Sequence, residues 1–182
     1  MKKHTLRLTM AAFFCALITV ATMVIQIPIG SGGYLNFGDA FVLLSAWSIG
    51  PLYGTAAAAV GSALADILSG YVMYAPATFV IKGLVALAAW SVCRILSADV
   101  QDSHTSEDSL RKRRNPMIGR LISGTVAEFL MVFGYFLWEM LIFGEGFAAL
   151  SAVSANALQG VFGVLCGTAL AMVVDRLGLI KN

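Results

Sequence analysis

The chain has 182 residues, 59% hydrophobic and 12% charged, with a formal net charge of +2 and a mean hydropathy of +0.84. A water-soluble domain carries about 25% charge, so the composition excludes that class and indicates a polytopic membrane protein. Its basic residues lie in short segments between apolar runs, which excludes the continuous basic face of a nucleic-acid binder.

Met1 to Arg7 is a short basic head. Leu8 to Ile27 follows as an apolar run of about 20 residues, enough to cross a hydrocarbon core of about 30 Å and longer than a signal-peptide core, so it reads as a retained first helix. Ala12 and Ala16 stand four apart on it. They make either a face that another helix can approach closely or two of the alanines common in membrane helices. Pro28 is expected to end this helix, and residues 30–37 (GSGGYLNF) to form a flexible loop, carrying Tyr34 and Asn36, that can serve as a lid. Asp39 stands where a second helix begins, as an N-terminal cap or as a ligand contact. That helix, ending at Ile49, is about 16 Å long and too short for a full span, so it tilts against protein or borders a cavity.

Gly50-Pro51 makes the next turn, with Pro51 suited to the first position of a helix. From Pro51 to Leu68, Gly54, Ala58, Gly61 and Ala65 recur at spacings of three and four and predict packing of backbone against backbone. Asp66 closes this segment, and Tyr71 and Tyr74 flank the turn after it. A fourth helix is predicted over residues 76–96 with Lys82 two turns inside its start, at the limit of snorkelling to an interface. Residues 97–117 form a charged polar loop, acidic then basic. A fifth helix over 118–143 carries Glu128, Tyr135 and Glu139 on one stripe, which must face protein or a cavity rather than lipid. The sixth, over 147–174, places Asn156, Gln159 and Gly163 on one face. Cys15, Cys93 and Cys166 lie in apolar stretches without metal-binding spacing and read as small buried hydrophobes.

The amino terminus, the 97–117 loop with its flanks, and the carboxyl terminus hold every Lys and Arg except Lys82. By the distribution of positive charge, the expected architecture is one all-α integral membrane domain over residues 1–182. It has about six transmembrane helices, with both termini and the 97–117 loop cytoplasmic. Asn36, Asp39, Asp66, Lys82, Glu139, Asn156 and Gln159 then converge at one depth in the outer half of the bilayer. With Tyr34, Tyr74 and Tyr135 they form the candidate substrate site, since ionisable groups at that depth are costly without a function. Equal depth predicts that Lys82 and Glu139 neutralise each other in the empty protein and admit a ligand between them.

Several motifs in order now carry a resemblance: Ala12 and Ala16 on the first helix, Tyr34-Leu-Asn-Phe-Gly-Asp39, Gly50-Pro51, Ala65-Asp66, Tyr74-Ala-Pro-Ala-Thr-Phe79 and Ile81-Lys-Gly83. The chain resembles the substrate-binding S component of energy-coupling factor (ECF) vitamin transporters, in the subgroup for riboflavin, pyridoxine or hydroxymethylpyrimidine. The resemblance implies a multi-pass protein of a prokaryotic cell membrane that captures a small vitamin from outside. It also implies association with a transmembrane coupling subunit, which Ala12 and Ala16 would face, and with two cytoplasmic ATPases. The chain itself lacks a phosphate-binding GxxxxGK[ST] loop, and His4 and His104 lie in polar segments, so neither ATP hydrolysis, a histidine-based active site, a metal nor a cofactor is expected. The alternative from the residues alone is a self-sufficient secondary transporter or channel, with Asp66, Lys82, Glu128 and Glu139 as an ion relay.

Overall fold

The computed structural model describes residues 2–28, 34–98, 116–142, 144 and 149–178. Six helices carry the fold: α1 (Lys2–Val24), α2 (Gly38–Ile49), α3 (Pro51–Leu68), α4 (Ala75–Ala98), α5 (Pro116–Leu141) and α6 (Leu150–Leu177). All except α2 are long and apolar enough to cross a membrane. Many large apolar side chains point outward, among them Phe13, Leu84, Phe129 and Val161. Such a surface is unstable in water and natural against lipid, as befits a multi-pass membrane protein.

The short α2 is the centre of the bundle. It packs on α1, α3, α4 and α6, and nearly every residue from Gly38 to Ile49 is buried. Its shortness follows from punctuation at both ends. Gly50 turns the chain at φ +84°, a value that favours glycine, and Pro51 opens α3 where its missing N–H costs nothing. The core gathers Ile18 of α1, Val42, Leu43 and Ala46 of α2, Ala58 of α3, Val85 and Ala89 of α4, and Met131 of α5.

The small-residue face of α3 does bring backbones together. A methyl group on Gly54 would lie 2.9 Å from the Ser45 carbonyl oxygen of α2, and one on Gly61 would lie 2.7 Å from the Cys15 carbonyl oxygen of α1. Thr19 closes the α1/α3 seam by donating to the carbonyls of Cys15 and Gly61, both at 2.9 Å. Gly61→Ala is therefore expected to push α1 from α3 and cost about 1–3 kcal/mol. A lowered melting temperature against an unchanged lipid-facing control, Val60→Ala, checks this.

Two local expectations are corrected. The first helix stops at Val24, not near Pro28, and Gln26–Pro28 (β1) instead pairs antiparallel with Tyr34–Asn36 (β2) in a small hairpin. Pro28 lacks an N–H and sits at the end of a strand where none is required. The lid loop is thus partly ordered strand; residues 29–33 lie outside the described residues, as do residues 99–115 of the charged loop.

Candidate functional site

At the end of the bundle where α1, α3 and α5 finish and α2, α4 and α6 begin, one cavity lies beneath the hairpin. Its floor is a polar cluster at the start of α2. Lys82 of α4 donates from its ammonium to Asp39 Oδ1 and, at 2.8 Å, to the thioether of Met131 on α5. The same ammonium lies 5.5 Å from the centre of the Tyr135 ring, within reach of a cation–π attraction. Asp39 and Lys82 are 1% and 4% exposed. Each therefore depends on the other, because a buried charge is tolerated only when paired and hydrogen-bonded.

Gln159 of α6 links this floor to the hairpin above. Its Nε2 donates to Asp39 Oδ2 at 2.6 Å, while its Oε1 accepts from the backbone N–H of Asn36 at 3.0 Å and from the Asn36 side chain at 3.3 Å. A carboxylate accepts only and a backbone N–H donates only, so the amide has one possible orientation. Asn36 in turn accepts from the Gly38 N–H at 2.8 Å, and so satisfies one of the free amides at the start of α2. Asp39 lies inside the first turn rather than at the cap, and its side chain serves the cluster. Two glycines make room for it. A methyl group at Gly38 would fall 2.1 Å from Thr22 Oγ1, and one at Gly163 would fall 2.8 Å from Asp39 Cβ.

The walls carry the remaining polar groups. Asp66 of α3 and Glu139 of α5 are both buried and line the cavity. The Tyr74 hydroxyl donates to Glu139 Oε1 at a long 3.5 Å, and Tyr135 exchanges a hydrogen bond with Thr78 at 2.9 Å. Asn156 completes the α6 side. Gln26 Nε2 donates to Ser69 Oγ at 2.8 Å and ties the hairpin to the end of α3. The free volume is about 50 Å³, enough for a water or two, whereas sites for drug-sized ligands run from about 300 Å³. A vitamin-sized ligand therefore requires the walls to move apart.

Of the expected site residues, Asn36, Asp39, Asp66, Tyr74, Lys82, Tyr135, Glu139, Asn156 and Gln159 line this one cavity. The Tyr34 side chain lies outside the described residues; its backbone pairs with Pro28. The expected Lys82–Glu139 pair is not formed: Lys82 bonds Asp39, and Glu139 receives Tyr74. Glu128, placed by the ion-relay alternative among the others, does not line this cavity but a mostly apolar groove between α5 and α6 with Phe129, Val132 and Val161; it stays close to the cluster, since a methyl group on Gly163 would lie 2.8 Å from Asp39 Cβ and 3.5 Å from Glu128 Oε1. Thr22, Ser62, Tyr71 and Thr78 also line the cavity and were not anticipated. Ser62 precedes Asp66 by four, and Thr78 precedes Lys82 by four, so helical spacing from the ionisable residues was the available signal. Ala12 and Ala16 are exposed on the outside of α1, whereas Ala11, Phe14 and Ile18 face inward.

Residues 2–176 match the model of a family described as ECF-type riboflavin transporter, S component. A protein of Pyrococcus woesei described as an uncharacterized protein in gap 3′ region is 34% identical over 162 residues, covering 87% of this chain and 95% of that one. The fold is similar to that of a solved S component of a bacterial ECF transporter, with a TM-score of 0.67 at 19% identity, over 96% of this chain and 98% of the other.

Proposed function

The chain belongs to the family of S components of ECF-type riboflavin transporters, and from that premise we propose that its cavity captures a small heteroaromatic vitamin or vitamin precursor, of the riboflavin, pyridoxine or hydroxymethylpyrimidine class. The observation that carries this reading is the convergence of nine polar or aromatic side chains, from β2, the turn before α4 and five helices, on one cavity under a hairpin. Aromatic rings of Tyr74 and Tyr135 suit a flat ring, and amides and carboxylates around them suit its ring nitrogens and hydroxyls. The protein acts as a transport component and not an enzyme. It delivers its cargo through a transmembrane coupling subunit driven by two cytoplasmic ATPases, in the cell membrane of a prokaryote. Mass spectrometry of small molecules retained through purification tests the reading. Ligand should be held by the chain alone, whereas transport should require the partners; transport by the isolated chain in vesicles would favour a self-sufficient carrier.

Under this reading the cavity faces outward and both termini lie inside, as the distribution of positive charge requires. Ser103→Cys, in a chain whose three native cysteines are replaced by alanine, is expected to react with a membrane-impermeant maleimide only after the membrane is opened. Labelling of intact cells would invert the topology and turn the cavity toward the cytoplasm.

A further inference from the structure

Glu128 stands at the middle of α5, where a bilayer offers no water to hydrate a charge. It is 4% exposed, and neither of its carboxyl oxygens has a hydrogen-bond partner among the described residues. Bare glycines of α6 make its place. A methyl group on Gly160 would lie 3.0 Å from Glu128 Cβ and 3.5 Å from Oε2, while one on Gly163 would come within 3.5 Å of Oε1 and 2.8 Å of Asp39 Cβ. The carboxyl is thus lodged in the α5/α6 seam, bordering the apolar groove of Phe129, Val132 and Val161 and close to Asp39. The bases of the chain are engaged or distant. Lys82 donates to Asp39 and to Met131, and one ammonium neutralises one carboxylate. Arg120, two turns below Glu128 on α5, holds Asp175 at 2.7 Å instead. All other Lys and Arg lie in residues 2–7, 94, 111–114 or 176–181. Arg94 stands about 18 Å along α4 from Lys82, Pro116 about 18 Å along α5 from Glu128, and Arg176 about 20 Å along α6 from Gly163. No other neighbour supplies a positive charge: α2 presents the acid Asp39, α6 presents glycines, and Tyr135, two turns above on α5, shares its hydroxyl with Thr78.

From this arrangement we infer that Glu128 is a proton-binding site, a neutral carboxylic acid held in the membrane core directly behind the floor of the cavity. A carboxylate without a partner in an apolar interior loses its hydration and gains nothing in return, so it takes a proton instead. The neutral acid has one O–H and its lone pairs to satisfy, a far smaller demand than a full charge. The consequence for the cavity is electrical. Lys82 and Asp39 line it as an ion pair whose charges cancel, and a protonated Glu128 adds nothing to that sum. An ionised Glu128 would set a second negative charge beside Asp39, in surroundings where low dielectric strengthens the repulsion, and would compete for the same ammonium. The bound proton therefore keeps the floor neutral and reserves Lys82 for Asp39. This inference rests on the seam between α5 and α6 and holds whichever cargo the cavity takes.

Infrared difference spectroscopy of the full chain in lipid nanodiscs at neutral pH, wild type minus Glu128→Gln, tests the inference. The C=O stretch of a neutral acid is separate from both bands of a carboxylate, and the subtraction isolates Glu128 from the other acids. The difference is expected to hold a neutral-acid band and no carboxylate bands; loss of carboxylate bands instead overturns the inference. Stability gives a second readout, which does not depend on the glutamine variant folding. Glu128→Leu should keep its melting temperature within about 5 °C of the wild type, because an uncharged buried group exchanged for an apolar one of similar size costs little. Were Glu128 ionised and served by Lys82, removing the charge would break a buried pair, and both Glu128→Gln and Glu128→Leu would fall by more than that. Such a fall in both variants also overturns the assignment.

Discussion

Lys82→Met is expected to destabilise the protein before it affects anything else, by about 3–5 kcal/mol, the usual result of leaving one member of a buried ion pair without its partner. The ammonium donates to Asp39 Oδ1 and to Met131 Sδ and sits against the Tyr135 ring. Removing it leaves the Asp39 carboxylate, 1% exposed, with Gln159 alone to satisfy it. The double variant Asp39→Leu/Lys82→Met should recover most of the lost stability, because replacing both members of a buried pair by apolar groups is often neutral. Melting temperature and ligand affinity, measured on the same preparations of both single variants and the double, decide the matter. A single variant that keeps its melting temperature and loses only affinity would show that the ammonium acts on the cargo rather than on Asp39.

That expectation differs from the one the sequence alone supports, and the reason is geometric. Counting residues from helix ends gives the depth of a side chain in the bilayer but not its direction around the bundle axis. Depth alone was enough to group Asn36, Asp39, Asp66, Lys82, Glu139, Asn156 and Gln159 at one level, and they do line one cavity. It could not select between Asp39 and Glu139 as the partner of Lys82. The choice is made by α2, whose burial at the centre of the bundle points Asp39 at α4. Met131 escaped notice for a different reason: a thioether in an apolar run has no polar signature, although it accepts a hydrogen bond when a donor is placed on it. The hairpin escaped because strands of three residues offer too little alternation to recognise. By contrast, the bounds of α3 were legible to the residue. Gly50-Pro51 opens it and Ser69-Gly70 closes it, and such punctuation acts locally, without help from the rest of the fold.

Ala12→Leu combined with Ala16→Leu is expected to abolish most uptake while leaving ligand affinity nearly unchanged. The two alanines occupy the exposed face of α1, away from α2 and α3, which the buried Ala11, Phe14 and Ile18 meet. They also lie well below the cavity along α1, whose one lining residue among those described is Thr22, near its far end. Added bulk there has no path to the Asp39 cluster, since no packed neighbour is displaced. Against the coupling subunit of our proposal the same bulk matters, because helices in lipid associate through close contact of small side chains and gain little from apolar surface alone. An overpacked contact costs about 1–3 kcal/mol per site, which is a loss of about five- to 150-fold in the docking equilibrium for each substitution. Uptake in cells that also express the coupling subunit and ATPases should therefore collapse, and the double variant should fail to co-purify with them. Val126→Leu, a change at an exposed position on α5, should leave uptake intact. A parallel fall in ligand affinity would show that the face packs within the chain, and undiminished uptake would move the docking surface to another helix.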